Sequence, residues 1–240
     1  MNIDFSVAWK YLPLLLEGTV MTVVLTLLSQ ALGTALGFLL ALGRSSQLGW
    51  LRWLIGIYVW IIRGTPLLLQ LFFVYYAAPL FGIVLDAFPA AIIAMSASSA
   101  AYNCEILRSG IQAVHRGQIE AAQAVGMTYV AIVRHIIVPQ AARIVIPPYM
   151  SNFISHTKNS SLASVITVQE LMLTAQVIYS STYRAVEILT MTGAIYLVLT
   201  SCLTGLQLLF EYWTAYERRG LTGRRRRRLL LDPPALDQPA

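Results

Sequence analysis

Long apolar runs alternate with short polar segments along this chain. Four runs approach or exceed the roughly 20 residues that a helix needs to cross a bilayer, and they cover residues 18–42, 53–80, 90–107 and 188–209. The pattern predicts an all-α membrane protein. Composition agrees, because 57% of the residues are hydrophobic and only 12% are charged, whereas soluble domains carry about 25% charged residues.

Apolar character weakens between the third and the last of these runs. Residues 144–155 make only about half a span. The Pro-Pro pair at 147–148 is expected to lie in the first turn of this short helix. Polar residues 156–161 are expected to end it and to place Lys158 near the midplane, a pattern found at substrate sites in transporters. Residues 164–178 are expected to form a further, laterally packed helix. The chain therefore crosses the membrane about five times.

Small and hydroxyl residues mark one face of the first span. Thr22, Thr26, Ser29, Gly33 and Gly37 recur at steps of three and four residues, so they lie on one side of a helix. Glycines four residues apart allow two helix backbones to approach closely. We predict that another helix packs against this face.

Two spans carry charged residues at or near membrane depth. Residues 63–66, Arg-Gly-Thr-Pro, interrupt the second run; because an arginine in the membrane is costly, they mark either a break in the helix or the cytoplasmic edge of a span that begins after Arg63. In the third run, Glu105 and Arg108 are three residues apart and can pair on one helical face. The pair is either a local ion pair at the boundary or part of a transport path.

A polar stretch after the third run has a different composition. Residues 118–125 are rich in Ala, Glu and Gln, which favour helix, and Gly126 suits the left-handed position after a helix C-terminus. Thr128 can cap a second helix over 129–138 that ends at Pro139. The stretch predicts a helix–turn–helix knob whose shape is suited to docking another protein.

Basic residues give the expected orientation. They concentrate in three segments, 43–52, 108–143 and 218–228. Such segments are cytoplasmic, so five crossings put the N-terminus outside and the C-terminus in the cytoplasm. Residues 213–240 are expected to form a basic, disordered cytoplasmic tail, in which arginines that directly follow a span favour anionic membrane lipid over nucleic acid.

Catalytic and metal-binding patterns do not appear in the sequence. Cys104 and Cys202 lie in apolar runs and are too few for a zinc site. No nucleophile stands beside a base, and no G-x-x-x-x-G-K-[ST] phosphate loop occurs. We therefore expect no catalytic residue, metal or cofactor. Composition alone also allows a secondary transporter, a channel subunit without an ATPase or a membrane enzyme. None of these functions accounts for the knob.

Motifs in a fixed order resemble those of one transporter family. Glu-Ala-Ala at 120–122, Gly126, and Ile-x-Val-Pro at 136–139 are similar to the EAA loop of bacterial ATP-binding-cassette (ABC) importer permeases. Residues 63–73, 101–108 and 158–162 look like further motifs of the polar amino-acid branch, the histidine and glutamine permease type. The resemblance spans about residues 15–212. Departures include His115 for a proline, His156-Thr157 for an aliphatic pair and Ser160 for a threonine.

The resemblance implies a type I ABC importer permease fold in the bacterial inner membrane. It divides the chain into a periplasmic segment 1–14, a transmembrane domain 15–212 that includes the coupling loop 113–140, and the tail 213–240. Such a permease is not itself an enzyme, because a cytoplasmic ATPase dimer hydrolyses ATP. A periplasmic solute-binding protein would deliver a polar amino acid or derivative, and a second permease subunit, identical or related, would complete the pore.

The same resemblance assigns roles to individual residues. Coupling to the ATPase would rest on five of them: Glu120, Ala121, Ala122, Gly126 and Pro139. Polar groups near or within the spans give an expected substrate pathway, formed by Glu105, Lys158, Ser160, Ser161 and Glu170.

Overall fold

The computed structural model describes the backbone of residues 4–231 and the side chains of residues 4–212. Within residues 4–231 the chain forms helices and no strand. The α-helices are α1 Ser6–Lys10, α2 Leu12–Arg44, α3 Gly49–Gly64, α4 Leu67–Phe72, α5 Ala87–Gln112, α6 Arg116–Ala124, α7 Tyr129–Ile132, α8 Val138–Asn159, α9 Leu171–Thr182 and α10 Ala185–Leu231. Two π-helical segments, Phe73–Ala77 and Val133–Ile137, and two 3₁₀ segments, Ala78–Phe81 and Ser160–Ile166, connect some of them.

Four helical stretches are long and apolar enough to cross a membrane: Leu12–Arg44, Ala87–Gln112, Tyr129–Ile166 and Ala185–Tyr212. The helix pair Gly49–Gly64 and Leu67–Phe81, bent by 107°, gives a fifth if the two halves act as one span. The all-α membrane fold with about five crossings is therefore confirmed.

Helix α2 runs through the whole core of the molecule. Leu15, Leu25 and Ala41 each belong to a different cluster of buried apolar side chains. Its small-residue face packs on α5 as predicted: a Cβ added at Gly33 would lie 2.5 Å from Ser99 Cβ, and one at Gly37 would lie 2.8 Å from Asn103 Cβ. We call this contact the α2–α5 seam.

The bend between α3 and α4 lies at the Arg-Gly-Thr-Pro segment. Pro66 has no N–H, so the carbonyl of Ile62 loses its helical donor. The side chain of Gln70 replaces it, because Nε2 donates to Ile62 O at 2.8 Å and to Thr65 O at 3.1 Å. Helix continues on both sides of the bend, so the segment separates two helices, α3 and α4.

Helix α8 differs from the predicted half-span. It begins at Val138, with Pro139 in its first turn, and continues through Asn159 with Pro147 and Pro148 in its interior. Pro139 therefore does not end a helix, and the Pro-Pro pair does not open one. The φ angle of proline is itself helical, and leaving the helix inside a membrane would expose further unpaired backbone groups.

The segment after α8 also differs from expectation. The lateral helix expected over 164–178 begins only at Leu171, because a 3₁₀ segment runs to Ile166 and is followed by Thr167, whose φ is +67°. At the far end of the chain, α10 continues through Leu231. The backbone of 213–231 is thus helical, since a span that is already helical propagates readily into residues such as Arg and Leu. The rest of the expected tail, 232–240, lies outside the described residues.

Candidate functional site: the knob and the polar groups of the spans

The turn of the knob is formed as the sequence predicted. Gly126 has φ +80°, its N–H donates to Gln123 O at 2.9 Å, and Met127 N donates to Ala122 O at 3.0 Å. These two bonds define a Schellman motif, whose left-handed position favours glycine. Thr128 Oγ1 then accepts from Ala131 N at 3.4 Å and caps α7, as expected.

The second half of the knob is shorter than predicted. Helix α7 ends at Ile132, and a π-helical segment carries the chain from Val133 into α8. The knob is therefore joined to a membrane span by a continuous helical path. At the other end of the knob, the His115 side chain accepts from Gly117 N at 3.2 Å and caps α6. The histidine that stands at the position of the family's usual proline therefore begins this helix with a side-chain cap.

Three large apolar side chains of the knob are exposed. Val125, Tyr129 and Val130 are 78%, 74% and 73% exposed. Of the expected coupling residues, Ala122 is buried, while Glu120, Ala121, Gly126 and Pro139 lie on the surface. Exposed clusters of large apolar side chains mark contact sites for other molecules.

Glu105 joins two helices by ion pairs. Its carboxylate accepts from Arg108 Nη2 at 2.6 Å and lies 3.5 Å from Arg44 Nη2, so it connects α5 with the end of α2. Nearby on the adjacent helix α3, the Arg63 guanidinium lies 5.2 Å from the centre of the Tyr102 ring. This geometry supports the local ion pair over a role in a transport path.

The polar end of α8 is accommodated by local hydrogen bonds. Ser160 is fully buried and donates to Thr157 O at 2.8 Å, and Ser161 donates to Lys158 O at 2.8 Å. Lys158 itself is exposed. Of these three side chains, that of Lys158 is the most exposed.

Glu170 is fully buried and links three helices. Its carboxylate accepts from Leu173 N and from the Tyr196 hydroxyl, both at 2.9 Å, and from Thr22 Oγ1 at 3.3 Å. It is thus the N-cap of α9 and ties that helix to α2 and α10. The five residues of the expected substrate pathway do not form one cluster, because Glu105 and Glu170 are engaged in different helix contacts.

A buried polar network joins α2, α5 and α8, and the sequence patterns did not reveal it. Ser99 Oγ donates to Gln30 Oε1 at 2.7 Å, and Asn103 Nδ2 donates to Thr34 Oγ1 at 3.2 Å. Asn152 Nδ2 in turn donates to Asn103 Oδ1 at 3.1 Å. The sequence feature that could have indicated this network was Gln30, which is a large amide in a mostly apolar run and lies on the same helix as the seam glycines.

His156 belongs to the same set of interhelical contacts. Its Nε2 lies 2.7 Å from Ser29 Oγ, and the side chain is buried. The sequence placed this residue near the substrate path. The geometry instead makes it a contact between α8 and the seam face of α2. Among the described residues, no group of three or more His, Cys, Asp or Glu side chains is arranged to hold a metal ion.

Long apolar helices, buried polar contacts between them and one exposed knob define an integral membrane transport component. A family model for the inner-membrane component of binding-protein-dependent transport systems matches residues 33–216. The chain belongs to this family and is a multi-pass protein of the inner membrane.

Individual relatives agree with this assignment. The octopine transport system permease of Rhizobium radiobacter is 39% identical and aligns over 97% of this chain and 96% of its own length. The arginine transport system permease of Bacillus subtilis is 38% identical over 85% of this chain and 94% of its own. A crystal structure of an amino acid ABC transporter with histidines superimposes with a TM-score of 0.83 at 40% identity, covering 88% of this chain and 99% of that one. The resemblance to ABC importer permeases is confirmed.

Proposed function

We propose that this chain is the membrane-spanning subunit of an importer that carries a polar amino acid or derivative inward, and that ATP binding in a partner drives it through the α6–α7 knob. The apolar surface of the knob carries this proposal. Val125, Tyr129 and Val130 are exposed on a segment that is otherwise well ordered by caps and a Schellman turn. A defined shape with exposed aromatic and branched residues is what a docking element needs.

The connection of the knob to the spans supports transmission of movement. Helix α5 leads into the knob and α8 leads out of it, and both take part in the buried polar network. A displacement of the knob by an ATPase would therefore move two spans together. Ala121 and Ala122 leave room for close approach, Gly126 sets the angle of the turn, and Glu120 has no hydrogen-bond partner among the described side chains and stays available to the ATPase.

The assembly that this function requires includes a cytoplasmic ATPase dimer, a second permease subunit and a solute-binding protein on the outer side. Relatives transport octopine and arginine according to their names. A substrate class of polar amino acids and their derivatives follows from these relatives. ATP hydrolysis belongs to the ATPase partner, and the permease contributes the path and the coupling surface.

The test replaces knob residues in the assembled transporter. Glu120→Lys and Gly126→Asp should abolish ATP-dependent uptake into proteoliposomes and co-purification of the ATPase, while the permease stays in the membrane. Asp86→Lys is the control for Glu120→Lys: it makes the same charge change at the opposite end of α5, about 39 Å from the knob for a helix of 26 residues. Normal uptake and ATPase co-purification in both knob variants would refute the coupling role.

A further inference from the structure

Helix α3 meets the segment that follows it at an angle of 107°. That segment, residues 67–81, is joined to α5 by residues 82–86 alone, and so short a connection makes two helices antiparallel neighbours. Its Leu71 is buried in one cluster with Ala90 and Ala94 of α5. Residues 67–81 therefore run along the α5 span, and α3 lies nearly across it.

Two contacts of α3, made from its middle and from its end, lie at nearly the same level of α5. A Cβ added at Gly56 would be 2.6 Å from Arg44 Nη1, and Nη2 of that arginine lies 3.5 Å from the Glu105 carboxylate. Seven residues further along α3, the Arg63 guanidinium lies 5.2 Å from the centre of the Tyr102 ring. Seven residues of helix cover about 10 Å, whereas the two α5 residues are about 4.5 Å apart along their axis. Both belong to the half of α5 that leads into the knob, so α3 lies on the knob side of the membrane.

One face of α3 carries three exposed tryptophans. Trp50, Trp53 and Trp60 are 65%, 69% and 76% exposed, and steps of three and seven residues place them on one stripe of the helix. Leu54 and Ile61 are exposed beside them. Tryptophan is enriched at the level of the lipid headgroups, where an amphipathic ring can lie between water and hydrocarbon. This face therefore matches the chemistry of the membrane interface rather than that of the hydrocarbon centre.

The remaining faces of α3 are buried or basic. Ile55 and Val59 are buried in a cluster with Ala41 of α2, whereas Arg52 and Arg63 are exposed. The helix contains no acidic residue. An aromatic face combined with arginines on the polar side is typical of helices that lie in the interface plane, and the positive charge suits anionic headgroups.

The lengths of the two helical segments also fit a surface position for α3. A straight helix over residues 49–81 would be about 50 Å long, well beyond the roughly 30 Å of the hydrocarbon core. Residues 67–81 alone give about 22 Å at 1.5 Å per residue. Because a surface helix sinks about 5–10 Å into the headgroup–acyl boundary, about 20–25 Å is then left to cross, which these residues can cover.

We propose that α3 is a membrane-surface helix, which binds the lipid headgroup layer on the knob side through its tryptophan face, and that residues 67–81 alone make the second crossing. The edge of the second span then lies after Arg63. The contacts of α3 with Arg44 and Tyr102 connect α2 and α5 to the membrane surface, near the point where α5 leads into the knob. This surface is additional to the knob and does not depend on the function proposed for it.

The test measures the depth of two α3 positions in the complete transporter, permease subunits with ATPase, in lipid nanodiscs. Trp50→Cys and Trp60→Cys each carry one nitroxide, attached before assembly in a chain with Cys104→Ala and Cys202→Ala. Depth is read from relaxation of the nitroxide by oxygen and by a water-soluble nickel complex. The two positions are ten residues apart, so a spanning α3 would separate their depths by about 15 Å. A surface helix should hold both at the same depth, within about 5–10 Å of the headgroup–acyl boundary.

Leu28→Cys and Phe38→Cys are the matched controls, because they are also ten residues apart and exposed but lie within the single span α2. Their depths should differ by about 15 Å. If a tryptophan variant does not fold, Leu54→Cys and Ile61→Cys on the same face of α3 replace it, and they should likewise agree in depth. A depth difference in α3 like that in α2 would overturn the proposal. So would labels on α3 that neither relaxation agent reaches, because another subunit would then cover the tryptophan face.

Discussion

Polar side chains in the α2–α5 seam are buried and bonded to one another, whereas the knob of α6 and α7 leaves large apolar side chains exposed. In the seam, Ser99 and Asn103 find their partners within this chain. In the knob, the side chains of Tyr129 and Val130 remain mostly exposed. Several polar contacts of the seam are therefore made within a single subunit, although Gln30 Nε2 and Ser96 Oγ are buried there without a hydrogen-bond partner among the described residues. The knob instead leaves large apolar side chains exposed, which supports the docking role proposed for it.

The largest effect is expected from filling the seam. Gly33→Leu would force side-chain atoms into Ser99, where even a Cβ is 2.5 Å from its nearest neighbour. Overpacking costs about 1–3 kcal/mol and occasionally more, and here the helices must separate, so we expect about 3 kcal/mol or more and loss of the folded peak in detergent size exclusion. Gly193→Leu is the control, because nothing lies within 4 Å of a Cβ there. Equal yields of the two variants would contradict close packing at Gly33.

An intermediate effect is expected in the knob, and on binding rather than folding. Tyr129→Ala removes a ring that is 74% exposed. If the ring is a central contact, the ATPase should bind about 30-fold more weakly, corresponding to about 2 kcal/mol. The thermal unfolding midpoint of the permease alone should not change. Tyr183→Ala, which removes an 86% exposed ring elsewhere, should leave ATPase binding unaltered; the same loss in both variants would argue against a specific docking surface.

The smallest effect is expected from removing a side-chain amide hydrogen bond. Such a bond can be removed in the knob and in the seam, and the two costs compared. Gln118 accepts from Gln140 on the exposed knob, so Gln118→Leu should change the free energy of unfolding by no more than about 0.5 kcal/mol. Asn103→Leu removes a buried amide together with its hydrogen bonds to the partly buried Asn152 and Thr34, which should cost about 1–2 kcal/mol. Chemical denaturation in mixed micelles measures both. Equal costs would show that burial does not distinguish the two regions.

Local patterns in the sequence were sufficient for the elements that depend on near neighbours. The Gly126 turn, the Thr128 cap and the Glu105–Arg108 pair each involve residues within a few positions, and each is present. The small-residue face of α2 was also predictable, because helical periodicity places Gly33 and Gly37 together. The choice of α5 as the helix packed on that face was not, since nothing local selects the partner.

Local patterns were insufficient where a distant residue decides the outcome. Glu170 was assigned to the substrate pathway because it is an acid near a span, and its contacts with Tyr196 and Thr22 on two other helices could not be predicted from its neighbours in the sequence. Pro147 was expected to begin a helix, and its position inside α8 reflects the cost of leaving a helix within the membrane. Gln30 was passed over because its partner, Ser99, lies in another span.

The seam also has a consequence for synthesis of the protein. Its two helices, Leu12–Arg44 and Ala87–Gln112, are not consecutive, so ribosomes must make residues 45–112 before α5 is complete. At roughly 5–20 residues per second, the first span spends several seconds in or near the insertion machinery with Gln30 and its glycine face lacking their final neighbour. Any factor that shields nascent membrane helices would have its longest task at this helix, and slow translation of residues 45–112 should increase degradation of the new chain more than the same delay after α5.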